Sequence, residues 1–378
     1  MNNCIKRIAI IGMTKNNGGI ESVVMNIYRN IDRHKIQFDF LLSHDAEKMA
    51  YEEEVISMGA RVFRIMYAQR ESLIKAERTL FEFFKEHPEI KGVYLHTNFP
   101  YVFPLKIAKK AEIPIRIIHA HSSAKLFEQF TGISKIKRKI LDDIIYKQIN
   151  KYPNYYFSCS DLAAKSTFRR DTYIWIKNGI ELEKFSFNYD VRIQTRKEYG
   201  ISSSDKVIGF VGMLGEIKNP LFALDVFAQY SKKEKNAKMV VVGDGILKTK
   251  LCEKIQEYHL NDKVILTGMI ADTFKWYQVF DALLVPSLFE GFPIVLIEGQ
   301  TAGVPCLVSD TITKQVAVTD LVKYKSIKQS AEEWANVLEN MSQNKINREI
   351  YLSQMYKNGF DVSSMVREVS SVLLHESI

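Results

Sequence analysis

Short apolar runs alternate along the chain with longer amphipathic stretches, a pattern that is typical of repeated strand–helix units. Near the start, the apolar run Arg7 to Gly12 predicts a buried strand, and a polar loop leads from it to a helix that begins near Ile20. A second series starts afresh with the apolar run Val207 to Val211. Because strands that alternate with helices pair in parallel, the pattern predicts an α/β protein with two Rossmann-like sheets.

The same alternation predicts the other elements. Further strands of the first series are predicted at Phe38 to Leu42, Val62 to Ile65, Gly92 to His96, Ile115 to His119 and Tyr155 to Cys159. Helices between them are predicted at Lys48–Met58, Ser72–Glu86 and Pro104–Ala111. The second series continues with strands at Lys238 to Val242, Val264 to Thr267, Ala282 to Val285 and Pro305 to Ser309, and the last amphipathic helix is predicted at Ser363 to His375.

The two series predict two domains, and 378 residues are enough for two full cores. The polar and aromatic stretch Lys184 to Tyr189 separates the series and predicts the connector. We therefore expect an N-terminal Rossmann-like domain over residues 1–184 and a C-terminal one over residues 185–362. Ligands of open α/β sheets bind beyond the carboxyl ends of the strands, and small-molecule sites concentrate in clefts between domains. We therefore expect the ligand between the two sheets.

Composition excludes several classes of protein. With 46% hydrophobic and 25% charged residues and no low-complexity tract, the chain has the composition of a soluble globular protein. The 52 basic against 44 acidic residues give a net charge of +8, which attracts anions without selecting among nucleotides, lipid surfaces and nucleic acid. Four scattered cysteines predict reduced thiols and no metal site. Because no apolar run suits a signal peptide or a membrane-spanning helix, we expect an intracellular protein.

A Gly-Phe-Pro turn, formed by Gly291, Phe292 and Pro293, leads into a predicted helix. Pro293 is expected at the first helical position, because proline has no N–H to leave unsatisfied there. The backbone N–H groups from Phe292 through Ile294 and Val295 then point out of the helix N-terminus, where anions are favoured. The turn therefore predicts an anion site.

Two glutamates flank this turn, Glu290 before the helix and Glu298 about two turns into it. Eight helical steps span about 12 Å. That spacing is wide for the acid–base pair of a glycosidase, whose carboxyl groups lie roughly 5 to 9.5 Å apart. It suits two carboxylates that hold opposite ends of an elongated ligand with an anionic middle, as a nucleotide diphosphate sugar is. The alternative is an ordinary turn with two solvated glutamates.

This arrangement of two glutamates around Gly-Phe-Pro resembles the signature of family 4 of the retaining nucleotide-sugar glycosyltransferases, which have the GT-B fold. The resemblance implies that Glu298 holds the ribose hydroxyls and that Glu290 reaches the donor sugar near the reacting carbon. It also implies that the closing helix crosses back to the first domain, so that residues 363–378 belong with residues 1–184.

Glycines also mark the first predicted domain, where Gly18 and Gly19 lie between a strand and a helix. Backbone N–H groups there could approach a phosphate without a side chain in the way, although a flexible turn has the same composition. Family 4 enzymes carry a Gly-Gly loop at this place, followed by a residue like Glu21, near the donor diphosphate and the acceptor. The resemblance therefore implies that Gly18, Gly19 and Glu21 bind substrate.

Two histidines, His119 and His121, close a predicted strand and share one face if the strand alternation persists. A histidine at a strand end is often a structural hydrogen bonder, whereas a pair at the carboxyl edge of a sheet favours function. In related enzymes a histidine here touches the donor sugar. We favour His121 for that role, because it lies further into the loop.

In the second half, Gly212, Lys218 and Asn219 lie in a segment that resembles the Gly-x-Leu-x3-Lys-Asn loop of the family. The resemblance implies that Lys218 is a pre-placed cation for the leaving diphosphate, on which negative charge builds as the bond breaks. The family usually has an arginine where this chain has Met213, and a lost bidentate donor is not a mild change. Three explanations stay open: Lys218 and the helix N-terminus suffice, Lys15 substitutes, or the enzyme is slow.

Weaker resemblances complete the expected site. Asn178 belongs to an Asn-Gly-Ile segment that matches one between the family's domains, although Asn-Gly turns are common. Gly268 follows a predicted strand and fits the wall of the nucleotide pocket, with the main chain near Ile270 facing the base. The chain has no G-x-G-x-x-G, no Walker A sequence and no D-x-D. We therefore expect no metal or other cofactor, with protein cations in the place of a divalent ion.

The segment Lys125 to Lys151 is rich in lysine and arginine, with interleaved isoleucine and leucine. A basic amphipathic helix can lie on an anionic membrane, and a helix that packs on the core with a solvated basic face has the same pattern. A lipid-linked acceptor would give the membrane contact a use. Both interpretations stay open.

Taken together, the resemblance implies a retaining glycosyltransferase that moves a hexose from a UDP-sugar to a glycan or lipid-linked acceptor in bacterial capsule or exopolysaccharide synthesis. We expect it in the cytoplasm, at the inner face of the membrane, with no nucleic-acid partner. Two alternatives belong to other classes: a UDP-sugar epimerase of the same shape, which needs no acceptor, and a non-catalytic partner subunit, for which Met213 is the main reason.

Overall fold

In the computed structural model, which describes residues 5–16, 18–66, 72–123, 143–270, 272–343 and 346–374, the strand–helix alternation becomes two parallel sheets. The chain divides into two compact units. The first unit comprises Met1–Gly179 and Val362–Ile378, and the second comprises Ile180–Asp361. The predicted connector, Lys184 to Tyr189, lies inside the second unit.

The sheet of the first unit has seven strands within the described ranges, in the order β3-β2-β1-β4-β5-β6-β7. The strands are β1 Lys6–Ile11, β2 Ile36–Ser43, β3 Arg61–Ile65, β4 Ile90–Thr97, β5 Ile115–Ala120, β6 Tyr155–Ser158 and β7 Ile174–Trp175. The helices of the unit are Gly19–Asn30, Glu52–Ser57, Leu73–Glu86, Phe103–Lys110, Asp161–Phe168 and Val362–Leu374, and residues 143–149 are also helical.

The last helix, Val362–Leu374, packs in the first unit against the first helix, Gly19–Asn30. Its apolar residues are buried, among them Met365, Val369 and Leu373. The Lys6 ammonium donates a hydrogen bond to the carbonyl of Leu374 at 2.9 Å. The expected return of the closing helix to the N-terminal domain is therefore confirmed.

The sheet of the second unit has six described strands, in the order β10-β9-β8-β11-β12-β13. The strands are β8 Lys206–Val211, β9 Ala237–Val242, β10 Val264–Gly268, β11 Ala282–Val285, β12 Cys306–Ser309 and β13 Val322–Lys325. The helices are Leu182–Phe185, Tyr189–Glu198, Pro220–Lys233, Lys248–Glu257, Phe274–Val279, Ile294–Thr301, Ala331–Gln343 and Tyr351–Lys357, with 3₁₀ turns at Lys314–Val316 and Arg348–Ile350.

Helices cover the second sheet, so its central strands are predominantly apolar. All four residues of Ala282–Val285 and of Cys306–Ser309 are buried. Parallel sheets need this composition, because neither face meets water. One core cluster joins β8 and β9 to the helices that begin at Pro220 and Ala331, and it includes the completely buried Trp334.

Each sheet has a topological switch point, where the chain leaves two neighbouring strands in opposite directions. In the first unit this point lies between β1 and β4, and in the second between β8 and β11. Loops that diverge at a switch point leave a crevice at the carboxyl ends of the strands, which is where α/β proteins bind ligands. The strand order therefore fixes where a site is expected in each unit.

Several element boundaries differ from the predicted ones. The helix predicted at Lys48–Met58 is confined to Glu52–Ser57, and the short strands Ile174–Trp175 and Val322–Lys325 were not predicted. Both strands lie at a sheet edge, where pairing on one side does not require an apolar run. In the described part of the chain, every helix is too short or too polar to cross a bilayer.

Two glycines let the loop after β9 approach the loop after β8. Gly243 has φ +142° and Gly245 has φ +158°, a backbone conformation that favours glycine. A Cβ atom at Gly243 would lie well within the van der Waals contact distance of the Gly212 carbonyl oxygen, and one at Gly245 would lie 2.6 Å from the Leu214 carbonyl oxygen. Both glycines therefore set the shape of the loop that continues to Lys218.

We predict that Gly243→Ala lowers the free energy of unfolding by at least about 1–3 kcal/mol, because the new methyl group meets backbone and the φ is strained. Gly215→Ala is the matched control, since an added Cβ there meets nothing within 4 Å. Urea unfolding of both variants measures the difference. Equal stability of the two variants would show that the close approach of the loops does not require glycine.

Candidate active site

Lys218 and Glu290 meet at the switch point of the second sheet. Lys218 lies in the loop after β8 and Glu290 in the loop after β11, and these strands are neighbours. The Lys218 Nζ atom lies 2.5 Å from Glu290 Oε1. The side chains are 27% and 12% exposed, so the pair is partly screened from water while the lysine side chain keeps an accessible surface. This geometry gives a positioned cation at the edge where an anionic ligand is expected.

Backbone geometry holds the two loops together. Gly212, at φ +151°, turns the chain after β8, and Asn219 adopts a left-handed conformation directly before Pro220, the first residue of the next helix. The N–H of Leu288 donates to the carbonyl of Ile217 at 2.8 Å, which links the two loops beside the ion pair. The positions of Lys218 and Glu290 thus depend on the backbone, not on their own contact alone.

The helix that follows Glu290 begins one residue later than predicted. Pro293 is its N-cap, with φ −72° and ψ 109°, and the helix runs over Ile294–Thr301. The prediction of Pro293 at the first helical position is therefore wrong by one residue, because its ψ is still extended. Phe292 is buried and stacks on Phe360 with ring centroids 5.8 Å apart, which fixes the start of the helix. Ile294 and Val295 stay partly exposed at the helix N-terminus.

Glu298 has a different environment from Glu290. Its Oε2 atom accepts a hydrogen bond from the Tyr277 hydroxyl at 2.5 Å. Burial raises the pKa of Glu298 to about 7, although the phenol hydrogen bond and the charge of Lys184 act in the opposite direction. Its carboxyl group is therefore poised to titrate near neutral pH. Tyr277 was not predicted from the sequence, because it reaches Glu298 through the fold from another helix.

The neighbouring strand ends carry exposed apolar side chains. Met213 is 64% exposed after β8, Ile246 is 85% exposed after β9, and Met269 is 72% exposed after β10. Gly268, at φ +70°, ends β10 and accepts the N–H of Gly243 at 3.0 Å, while Ile270 is partly exposed. Met213, where the family has arginine, therefore offers an exposed thioether and no charge.

In the first unit, Glu21 shapes the loop that carries the glycines. Its Oε1 accepts hydrogen bonds from the N–H and the hydroxyl of Thr14, at 2.9 and 2.7 Å, and its Oε2 accepts the Gly18 N–H at 3.1 Å. Glu21 is 4% exposed, and these contacts brace the helix N-terminus, as a capping glutamate does; substrate binding by Glu21 stays a prediction. Gly19 is exposed, and a Cβ there would meet no atom of the described residues within 4 Å, so its backbone is open to approach.

His119 and His121 lie together, as the strand alternation predicts, with ring centroids 4.0 Å apart. His96, at the end of neighbouring β4, joins them, and its Nδ1 lies 2.9 Å from His121 Nε2. His119 is completely buried, with its Nδ1 2.9 Å from the Tyr94 hydroxyl. His119, predicted above to bind substrate, is therefore shielded from solvent, whereas His121 is partly exposed.

Burial keeps all three imidazoles neutral. It lowers the pKa of His96 and of His119 well below the usual range, with a smaller contribution from the neighbouring histidines. It also lowers the pKa of His121 to about 3. Neutral rings can accept hydrogen bonds or bind a metal ion, and they add no positive charge. Tyr94 and His96 were not selected from the sequence, although His96 ends a predicted strand.

The remaining predicted residues fall in separate places. Asn178 is 4% exposed in the first unit, and its Oδ1 is buried with no hydrogen-bond partner in the described part of the chain. Lys15, considered as a substitute cation, pairs with Glu47 at 2.9 Å on the exposed surface. Most of the basic segment Lys125 to Lys151 lies outside the described residues, which resume at Asp143.

Comparisons with known proteins agree with this architecture. Residues 191–360 match the family described as Glycosyl transferases group 1. The putative glycosyltransferase EpsF of Bacillus subtilis is 30% identical over 345 residues, which cover 89% of this chain and 88% of that protein. A UDP-Gal:alpha-D-GlcNAc-diphosphoundecaprenol alpha-1,3-galactosyltransferase of Escherichia coli is 34% identical over 142 residues, which cover 36% of each.

Solved structures share the fold along nearly the whole chain. Anabaena Alr3699/HepE in complex with UDP aligns with a TM-score of 0.79 at 15% identity and covers 98% of this chain and 100% of that one. WaaG, a glycosyltransferase involved in lipopolysaccharide biosynthesis, aligns with a TM-score of 0.69 at 15% identity and covers 97% and 99%. The fold is therefore of the GT-B type, and the long match to EpsF shows that this chain belongs to the group 1 glycosyltransferases.

Proposed function

We propose that this glycosyltransferase moves a hexose from a UDP-sugar, with retention of the anomeric configuration, to a glycan or lipid-linked saccharide in cell-surface polysaccharide synthesis. The observation that carries the donor assignment is the Lys218–Glu290 pair at the β8/β11 switch point, with Glu298 further along the adjoining helix. Relatives named for diphosphoundecaprenol-linked galactosyl or N-acetylgalactosaminyl transfer support the acceptor class.

Lys218 is proposed to bind the donor diphosphate. In the free protein its ammonium is held by Glu290, so the cation is oriented before the ligand arrives. Because a diphosphate carries more negative charge than one carboxylate, it replaces Glu290 as the partner of the ammonium. As the bond to the sugar breaks, charge builds on the leaving phosphate oxygen, and a cation that needs no reorientation stabilises it. The N-terminus of the helix Ile294–Thr301, which follows the loop that carries Glu290, adds backbone N–H groups that favour an anion.

Glu290 is proposed to turn to the donor sugar once the diphosphate has taken Lys218. Its carboxylate then accepts hydrogen bonds from sugar hydroxyls near the reacting carbon. The acceptor enters on the face that the diphosphate leaves, which accounts for retention without a covalent intermediate. Because Lys218 and the helix N-terminus supply positive charge for the diphosphate, we propose that transfer needs no metal ion or other cofactor.

Glu298 is proposed to hold the ribose. A carboxylate accepts hydrogen bonds from two vicinal hydroxyls, whereas the protonated acid offers a poorer set of acceptors. The Tyr277 hydroxyl orients this carboxyl group at 2.5 Å. The main chain near Gly268 and Ile270, with the exposed Met269 beside it, is proposed to face the uracil base.

For the first unit, we propose that His121 binds a sugar hydroxyl and that the Gly18–Gly19 loop, whose backbone is open at Gly19, receives an anionic group. Glu21 acts there as a positioning residue, through its hydrogen bonds to Thr14 and Gly18. We also propose peripheral contact with the inner face of the membrane, since a lipid-linked acceptor must be met there. Flotation with anionic vesicles tests that contact.

Met213 favours a second candidate function, that of a partner subunit that binds nucleotide without turnover. Its 64% exposed thioether lies where the family carries an arginine, so the diphosphate meets one lysine in place of a pair of cations. Met213→Arg separates the two readings, because a gain in turnover fits a slow enzyme and an unchanged absence of turnover fits a binding module. An epimerase would convert the UDP-sugar when no acceptor is supplied.

The donor assignment predicts that a UDP-sugar raises the melting temperature of the protein at millimolar concentration, whereas GDP- and ADP-sugars do not. It also predicts that Lys218→Ala lowers turnover by about 10²–10³-fold, as the loss of a transition-state charge partner does. Lys248→Ala is the matched control, since Lys248 forms a surface pair with Asp244. If no nucleotide sugar raises the melting temperature, the donor assignment is wrong.

The raised pKa of Glu298 predicts a pH dependence of donor binding. Below pH 7 the carboxyl group is protonated and the ribose loses its best acceptor, so UDP affinity rises as the pH increases through about 7. Tyr277→Phe removes a hydrogen bond that lowers this pKa, and it therefore moves the midpoint to higher pH. Isothermal titration calorimetry with UDP, at pH values spaced about half a unit apart between about 5.5 and 8.5, measures the profile. A midpoint that persists in Glu298→Gln would assign the titration to another group.

A further inference from the structure

A cluster of three histidines lies at the carboxyl ends of β4 and β5 in the first unit. His96 and His119 are register partners on the two strands. The backbone N–H of His121 donates to the Thr97 carbonyl at 3.0 Å, which keeps the third ring beside them. The His96 ring centroid lies 5.3 Å from that of His119 and 5.1 Å from that of His121. The sheet itself therefore brings the three imidazoles together.

Two ring nitrogens in this cluster are unsatisfied. Among the described residues, His96 Nε2 and His119 Nε2 have no hydrogen-bond partner; both atoms are buried, and the two residues are 3% and 0% exposed. Buried polar atoms are nearly always bonded to protein, water or an ion, so two orphans in one cluster call for an occupant. No carboxylate or thiolate joins the group in the described ranges, which leaves imidazole nitrogens as the ligands.

The partners of the other nitrogens fit metal ligation. When His119 Nδ1 donates its proton to the Tyr94 oxygen, 2.9 Å away, its Nε2 carries a lone pair. Metal-binding histidines commonly use their second nitrogen in this way, which fixes the tautomer and the ring orientation. When His96 Nδ1 donates the proton of its contact with His121 Nε2, His96 Nε2 carries a lone pair, while the His121 Nε2 lone pair accepts that hydrogen bond and becomes available to an ion once the two rings turn apart.

We propose that His96, His119 and His121 form a site for a borderline divalent ion, Zn²⁺ above all. One ring nitrogen from each residue lies within 4.8 Å of the others. A tetrahedral zinc ion needs about 3.4 Å between ligand nitrogens, which small rotations of the rings supply. Three neutral imidazoles favour Zn²⁺, Cu²⁺ or Ni²⁺ over Mg²⁺ and Ca²⁺, which prefer oxygen ligands. The partly exposed His121 leaves a fourth position for water.

The site does not depend on the proposed transfer reaction, although the two share His121. A bound ion engages the His121 nitrogen and withdraws it from any substrate, so Zn²⁺ is expected to stabilise the first unit and to inhibit turnover. The sequence does not predict the site from histidine spacing, because His96 lies on a different strand from the His119–His121 pair.

The test uses the full chain without an affinity tag, stripped with a chelator and dialysed. Titration calorimetry with Zn²⁺ and elemental analysis are expected to give one tightly held ion per chain, whereas Mg²⁺ gives none. His121→Gln and His96→Gln are expected to weaken Zn²⁺ binding by at least about tenfold, and Tyr94→Phe by about 10–100-fold, because the phenol only orients a ligand. His34→Gln, on the exposed surface of the same unit, is the matched control and should bind normally.

Each outcome decides the proposal. It is overturned if the stripped protein takes up no Zn²⁺, or if His34→Gln loses as much affinity as His121→Gln, which would mean adventitious surface binding. Thermal unfolding in chelator shows which variants fold. If His96→Gln does not fold, His121→Gln, at a partly exposed position, supplies the comparison. Co²⁺ bound in the place of Zn²⁺ reports the ligand geometry through its visible absorption.

Discussion

The ion pair between Lys218 and Glu290 is the interaction on which the site of the second unit depends. Its two residues come from loops that diverge at the β8/β11 switch point, and the backbone bond from Leu288 to Ile217 holds those loops beside the pair. Partial burial makes each charge costly without the other, so the lysine is oriented before an anion arrives. The glycines at 212, 243 and 245 permit the close loop packing that puts it there.

Two glutamates on one short segment acquire different chemistry from their surroundings. Glu290 pairs with an ammonium, whereas Glu298 accepts a hydrogen bond from a neutral phenol, and desolvation raises its pKa to about 7. A similar contrast holds in the first unit, where Glu21 braces a loop and His121 stays partly open. Residue type alone therefore does not decide which polar groups can meet a substrate.

Much of the fold follows from the sequence, because parallel strands buried on both faces are read directly as apolar runs. Ala282–Val285 has the predicted boundaries, and Val264–Gly268 differs from the prediction only at its last residue. The edge strand Val322–Lys325 was missed because it lacks such a run, and Tyr277 and His96 were missed because their partners lie on other elements. Spacing along the chain predicts which residues share a turn, but tertiary pairing sets their protonation and exposure.

The most direct measurement compares UDP binding to wild type, Lys218→Ala and Glu290→Gln by titration calorimetry, with turnover measured on the same samples. If Glu290 holds Lys218 ready for the diphosphate, removing its charge frees the ammonium, so Glu290→Gln binds UDP at least as tightly as wild type while turnover falls. Lys218→Ala binds UDP more weakly. A loss of UDP affinity in Glu290→Gln as large as in Lys218→Ala would contradict the role of this ion pair.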